Sequence, residues 1–215
     1  MIETCRHLIG YRRVCQDAVG VFERDQDAVL VVADGAGGIE DGEVASRSVV
    51  EFIRQVPYDP RTPTDWGQVL RQTDFATPSG QSTACVVELS GNGLRGASVG
   101  DSRVGILNGD DVVFPSDGQQ RKPLLGSGEA VPCDFNFPWN GEMVLVGSDG
   151  FWNYVRMEQV LANLRFIEFP LLAKTLCEMA RLPSSGFADD VSVICARRRK
   201  IFSPRRRIDL SVDSD

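Results

Sequence analysis

Residues 28–38 read AVLVVADGAGG. Six consecutive apolar residues, half of them valine, end at Asp34 and a glycine cluster. A run this short and this β-branched is a buried strand, and it leaves a carboxylate at its C-terminal edge. Residues 143–150, MVLVGSDG, repeat the design and put Asp149 in the same position. A last strand is expected at 191–196 (VSVICA), directly after Asp189 and Asp190. Asp17 is a further carboxylate at the boundary of an apolar segment.

Between these anchors the hydrophobic period changes. Residues 43–56 place Val44, Ala45, Ser48, Val49, Phe52, Ile53 and Val56 on one face at helical spacing. Residues 65–75 read as a weaker helix after a proline-containing loop at 57–64. Short strands are expected at 82–89, 94–99 and 103–107, separated by Gly and Asn turn signals. Residues 115–141 are rich in Pro, Gly and Ser and read as irregular. Helices are expected at 155–165 and 168–181, with Pro170 near the start of the second. Strands clustered in the middle of the chain favour antiparallel sheets with helices packed outside them, an α+β architecture, over strict βαβ alternation.

The chain has 215 residues, enough to bury roughly 70% of its unfolded surface without disulfide staples. We expect one domain over 1–196 and a basic, solvated tail over 197–215. The formal charge is −7, but residues 197–207 (RRRKIFSPRRR) hold seven basic groups and no acid. The remainder is near −14, with 16 basic against 30 acidic residues. A body that acidic repels nucleic acid, so none is expected as a partner. The basic segment 197–207 is a candidate dock for an acidic partner. No signal-peptide pattern and no apolar stretch of 18 or more residues is present, so no transmembrane segment is expected. A soluble, reducing, cytoplasmic setting is the default expectation, in which Cys85 and Cys195, inside apolar runs, are reduced core residues.

Several chemistries are removed by counting. The single histidine, His7, stands in no recognisable context, which leaves a Ser-His-Asp triad, a Cys-His dyad and a His-based zinc site without support. No Gly-x-x-x-x-Gly-Lys-Ser/Thr loop exists. No cysteine has an arginine six positions on, as a cysteine phosphatase requires. Asp25-Gln26-Asp27 precedes its strand and reads as a turn. What remains is Asp17, Asp34, Asp149 and Asp189. Carboxylates gathered without imidazole or thiolate make a hard oxygen site suited to Mg²⁺ or Mn²⁺. Glycines beside them let backbone and substrate come close.

Six segments, in order over residues 10–196, resemble the metal-dependent serine/threonine protein phosphatases of the type 2C (PPM) group. Arg12-Arg13-Val14-Cys15-Gln16-Asp17 resembles the opening Arg-x-x-Asn-Gln-Asp pattern. Asp34-Gly35-Ala36-Gly37-Gly38 with the following Gly42-Glu43-Val44-Ala45-Ser46 resembles the Asp-Gly-x-Gly-Gly motif and its helix. Ser82-Thr83-Ala84, Gly100-Asp101-Ser102-Arg103, Ser148-Asp149-Gly150 and Asp189-Asp190-Val191-Ser192-Val193 resemble the remaining four.

The resemblance implies a compact central β-sandwich of two antiparallel sheets flanked by helices on both sides, with a shortened flap. It implies two Mn²⁺ or Mg²⁺ ions held by Asp17, Asp34, the Gly35 carbonyl, Asp149 and Asp189. Asp34 would bridge the ions, and Arg12 would hold the substrate phosphate. Catalysis would rest on Arg12, Asp34 and Asp149, by attack of a cation-activated water on phosphoserine or phosphothreonine in a protein. The substrate would be that of a cognate serine/threonine kinase. Asp101 is expected to cap its hairpin, not to touch metal. Cys15 and Ala36 depart from the family's usual asparagine and histidine, and the stretch between Arg103 and Asp149 is abbreviated. The short flap motivates a second reading, a pseudophosphatase that binds a phosphoprotein or kinase without turnover.

Overall fold

The computed structural model describes residues 1–36, 41–59, 61–91 and 93–199. Ten strands form two five-stranded, wholly antiparallel sheets. The first has the order β1 (Ile2–Ile9), β10 (Val191–Arg198), β9 (Met143–Gly147), β6 (Arg103–Asn108), β7 (Asp111–Val113). The second has the order β2 (Asp17–Arg24), β3 (Asp27–Asp34), β4 (Ala84–Ser90), β5 (Gly93–Val99), β8 (Cys133–Phe137). Helices α1 (Gly42–Arg54) and α2 (Trp66–Ala76) cover the second sheet. Helices α3 (Asp149–Tyr154), α4 (Met157–Asn163) and α5 (Phe169–Met179) cover the first.

Four layers explain why the decisive strands read as unbroken apolar runs. Each of these strands is buried on both faces, so the usual alternation disappears. In β3, Ala28, Leu30 and Val32 face the other sheet, while Val29, Val31 and Ala33 face α1 and α2. In β9, Val144 and Val146 point inward and Leu145 packs under the helices. In β10, Ile194 and Ala196 point inward, and Val193 and Cys195 pack outward.

Several boundaries differ from expectation. On α1 the buried stripe is Ala45, Val49 and Ile53 with Gly42 and Ser46, and Val44 is exposed. The stripe follows i, i+4 spacing, and Val44 falls one step off it. Strand β8 lies inside the segment expected to be irregular, and its Cys-Asp-Phe-Asn-Phe pattern alternates as a half-buried edge strand should. Strand β1 was not foreseen. It carries Arg6 and His7, and none of its eight residues is fully buried, as suits an edge strand. The Asp25-Gln26 turn is as expected, a two-residue hairpin loop with Asp25 at φ 55°. Strand β10 runs to Arg198, two residues beyond the expected end. There Arg197 pairs with Glu3 and lies over Phe169, while Arg198 lies over Trp139. Most of the basic segment, from Lys200 on, falls outside the described residues. No helix among those described is long and apolar enough to cross a membrane.

Candidate metal centre

The antiparallel pairings decide where the carboxylates go. Arg103, Gly147, Val193 and His7 form one straight row across four strands of the first sheet. Asp101, Asp149 and Asp189 all lie just beyond that row, at the same end. In the second sheet Asp17 at the start of β2 pairs directly with Asp34 at the end of β3. Asp34 also continues the inward-facing series of Ala28, Leu30 and Val32, so its side chain meets the acids of the other sheet. Residues from Asp17 to Asp189 in sequence thus gather at one end of the sandwich.

They line a cleft of about 890 Å³. Arg12, Asp34, Gly35, Asp149 and Asp189 stand on its wall, with Asp101 and Asp190 beside them. Carboxylate oxygens of Asp34, Asp101 and Asp149 lie within 4.8 Å of one another. Asp17 is 5% exposed beneath the cleft floor. Neither of its carboxylate oxygens has a hydrogen-bond partner. Orphaned buried carboxylate oxygens are costly and rare, and they mark a place built for a missing partner.

The local supports are specific. Thr83 Oγ1 accepts the Asp34 N–H at 3.0 Å, and the Thr83 N–H donates to the Asp34 carbonyl at 2.8 Å. The Gly35 N–H donates to the Gln16 carbonyl at 3.0 Å, tying β3's end to β2's start. A Cβ on Gly35 would come within 2.2 Å of the Gly42 carbonyl oxygen, so the start of α1 can approach only a glycine there. Asp190 is 4% exposed, and its carboxylate accepts the N–H groups of Tyr11 at 2.9 Å and Gln16 at 2.6 Å. It fastens both ends of the segment that carries Arg12. Arg12 itself is exposed, with its guanidinium 4.7 Å from the centre of the Tyr11 ring.

Electrostatics reflect the crowding. Burial, then the charges of Asp17, Asp149, Asp189 and Asp101, push Asp34 well above the ordinary carboxylate range. Burial also raises Asp17. The nearby hydroxyls of Ser192 and Ser148 ease part of its charge without either one being a hydrogen-bond partner. Asp149 is raised by burial and by Asp101 and Asp189. Asp189 is raised by burial, with Arg12 pulling the other way. All candidate donors are oxygens, their charges repel, and one has no partner. This set fits hard divalent cations.

Two residues were under-read in the sequence. Asp101 does sit at the β5–β6 turn, where it accepts Arg121 at 2.6 and 2.9 Å, but it also belongs to the acidic cluster. Its Gly-Asp-Ser-Arg setting gave the turn and not the direction of the side chain. Asp190 looked like the partner of Asp189, and nothing local announced a fastening to residues more than 170 positions away.

Gly150 supplies a test of this packing. A Cβ there would lie 2.0 Å from the Asp190 carbonyl oxygen and 3.4 Å from the Asp189 Cβ. Gly150→Ala is expected to cost about 2–4 kcal/mol through forced displacement of backbone. Thermal denaturation without metal reads the stability loss. Calorimetric titration with Mn²⁺ should show weakened binding, and wild-type affinity would contradict the placement of Asp189 and Asp190.

The two-sheet sandwich with flanking helices is a type 2C phosphatase-like fold. Comparison with known proteins agrees. The family model for protein phosphatase 2C matches residues 7–58. A probable protein phosphatase 2C 55 of Arabidopsis thaliana is 24% identical over 165 residues, covering 64% of this chain and 33% of that protein. The chain therefore spans about a third of the plant relative's length. A protein phosphatase PTC7 homolog, fig, of Drosophila grimshawi is 27% identical over 210 residues, covering 79% of this chain and 67% of its own. Among solved structures, the serine/threonine phosphatase Stp1 from Staphylococcus aureus superposes with a TM-score of 0.80 at 20% identity, covering 93% of this chain and 96% of that one. The catalytic domain of the serine threonine protein phosphatase PstP, in complex with two manganese ions, gives 0.73 at 24% identity, covering 91% and 97%. The chain shares the fold of these phosphatases and, over part of its length, resembles type 2C protein phosphatases in sequence.

Proposed function

We propose that this protein hydrolyses phosphoserine and phosphothreonine in proteins and depends on divalent cations to do so. One observation carries the reading: five aspartates from both sheets gather at one end of the sandwich, where the buried Asp17 carboxylate has no hydrogen-bond partner. Asp17, Asp34, Asp149, Asp189 and the Gly35 carbonyl are the residues that would hold two Mn²⁺ or Mg²⁺ ions, as the resemblance implies, and Asp101 stands close enough to join them. The cations supply Lewis-acid activation of water and neutralise charge on the phosphate. PstP, a structural neighbour solved with two manganese ions, supports this assignment.

The chain's own groups do the rest. Asp34, whose carboxyl burial and four neighbouring acids push upward, would carry its negative charge at the centre of the cleft once cations are bound. Arg12 projects from a segment pinned at both ends by Asp190, and its bidentate fork suits two oxygens of a phosphate. Fixing that segment's backbone lowers the ordering cost of placing the guanidinium to that of the side chain alone. Ala36 stands in the Asp-Gly-x motif without a titratable side chain, so it cannot give the leaving alkoxide a proton. We assign residues 1–196 to the catalytic domain. The substrate is a phosphorylated protein of a cognate serine/threonine kinase, and cytoplasmic residence belongs to the same proposal.

Phosphopeptide turnover with Mn²⁺ added and then removed by a chelator tests the reading. Activity should appear with the cation, vanish with chelation and return on re-addition. Chelator-resistant turnover would overturn the cation dependence. Tight Mn²⁺ binding with no turnover of any phosphopeptide would replace the enzyme by a phosphoprotein-binding module.

A further inference from the structure

We propose that Cys5 and Cys195 are a modification site: an oxidant-sensitive pair that closes to a cross-strand disulfide under hydrogen peroxide. The two residues face each other in the β1–β10 register. The Arg199 N–H donates to the Met1 carbonyl at 3.0 Å, which makes the odd-numbered positions of β1 the hydrogen-bonded pairs. Facing residues of that kind have Cα atoms about 5.5 Å apart. A disulfide spans about 4.4–6.8 Å between Cα atoms, so the backbone spacing suits the bond, and the Cβ atoms need draw together by only about 1 Å, which the edge strand can give. Both side chains lie on the helix-covered face of the first sheet, directly opposite one another across the β1–β10 pairing.

The two thiols differ in the way the reaction needs. Strand β1 is a sheet edge, and Cys5 is only partly buried. Its pKa is lowered to about 7, chiefly by the facing Cys195 thiol, which outweighs the opposing effect of burial with help from the Ala173 backbone and Arg197. Cys195 is fully buried and held protonated by its apolar surroundings. Among the other cysteines, burial pushes Cys15, Cys85, Cys133 and Cys177 upward, so none competes as a thiolate.

The steps balance. The Cys5 thiolate attacks one peroxide oxygen, and the O–O bond breaks. One oxygen stays on sulfur as a sulfenic acid, and the other leaves as hydroxide and is protonated to water. The Cys195 sulfur then loses its proton and attacks the sulfenic sulfur. The S–O bond breaks, the S–S bond forms, and the departing oxygen leaves as a second water. In total, two thiols and one hydrogen peroxide give one disulfide and two waters.

The full chain treated with peroxide should lose two of its six free thiols and recover them with a dithiol reductant. Peptide mapping without reduction should show a Cys5–Cys195 cross-link. Cys195→Ala should stop at a Cys5 sulfenic acid that dimedone labels at least ~10-fold faster than Cys133. Cys5→Ser, a change at a partly exposed edge position, should lose no thiols at the same dose. Unchanged thiol counts in the wild type, a cross-link to Cys177, or equal thiol loss in Cys5→Ser would each overturn the proposal. None of these readouts involves phosphate hydrolysis, so the pair stands or falls independently of the phosphatase assignment.

Discussion

Asp34→Asn should leave a folded protein whose Mn²⁺-dependent phosphopeptide turnover is at least ~10³-fold below wild type. The physical reason is position. Asp34 is where the two sheets' acids meet, and four other aspartates raise it. Neutralising it removes the charge at the centre of the cleft while keeping the shape of the side chain. The same change should make the metal-free protein more stable, because a crowded, largely buried carboxylate is a liability without cations. Steady-state kinetics and a metal-free melting curve check the two halves. Turnover within tenfold of wild type would remove Asp34 from the mechanism. A lower melting temperature would show that its charge is already compensated by the protein itself.

The metal-free protein should also lose stability as pH rises, opposite to the usual behaviour of a salt-bridged carboxylate. Asp17 and Asp34 have folded-state pKa values above their unfolded value of 3.8. The native state therefore holds protons that the unfolded state has released, and stability falls between the unfolded and folded pKa values. From about pH 5 to about pH 8 we expect a loss of ~3 kcal/mol, given ~1.4 kcal/mol per unit for each group and a discount for their mutual coupling. Saturating Mn²⁺ should abolish or reverse the trend, since cation binding favours the deprotonated carboxylates and stabilises the fold that binds it. Denaturant melts across that pH range, with and without Mn²⁺, measure it. A metal-free stability that climbs with pH would mean these carboxylates are paired in a way the structure does not show.

Much of the architecture was legible because burial on both faces leaves a strong mark. The runs at 28–33 and 143–147 could be placed as strands from their composition alone, and each announced the aspartate at its end. Edge elements left weaker marks. Strand β1 mixes charged and apolar residues, and β8 sits among prolines and glycines, so their pairing partners, not their own sequences, define them. The acids were legible as types and positions, but their convergence was not. It depends on all ten strands being antiparallel, which puts starts of some and ends of others at one edge. Asp101 and Asp190 show the limit, since side-chain direction and a fastening across most of the chain are set by tertiary packing.

The register that joins β1 to β10 brings together residues nearly two hundred positions apart. Asp189 and Asp190 arrive with the last strand, so the cation centre is unfinished until almost the whole domain is available. Loop closure over such distances is slow relative to local contacts. During synthesis, then, a partly emerged chain carries Asp17 and Asp34 but lacks the acids that complete their company. The cation centre therefore completes late and abruptly, as the terminal strand zips into place.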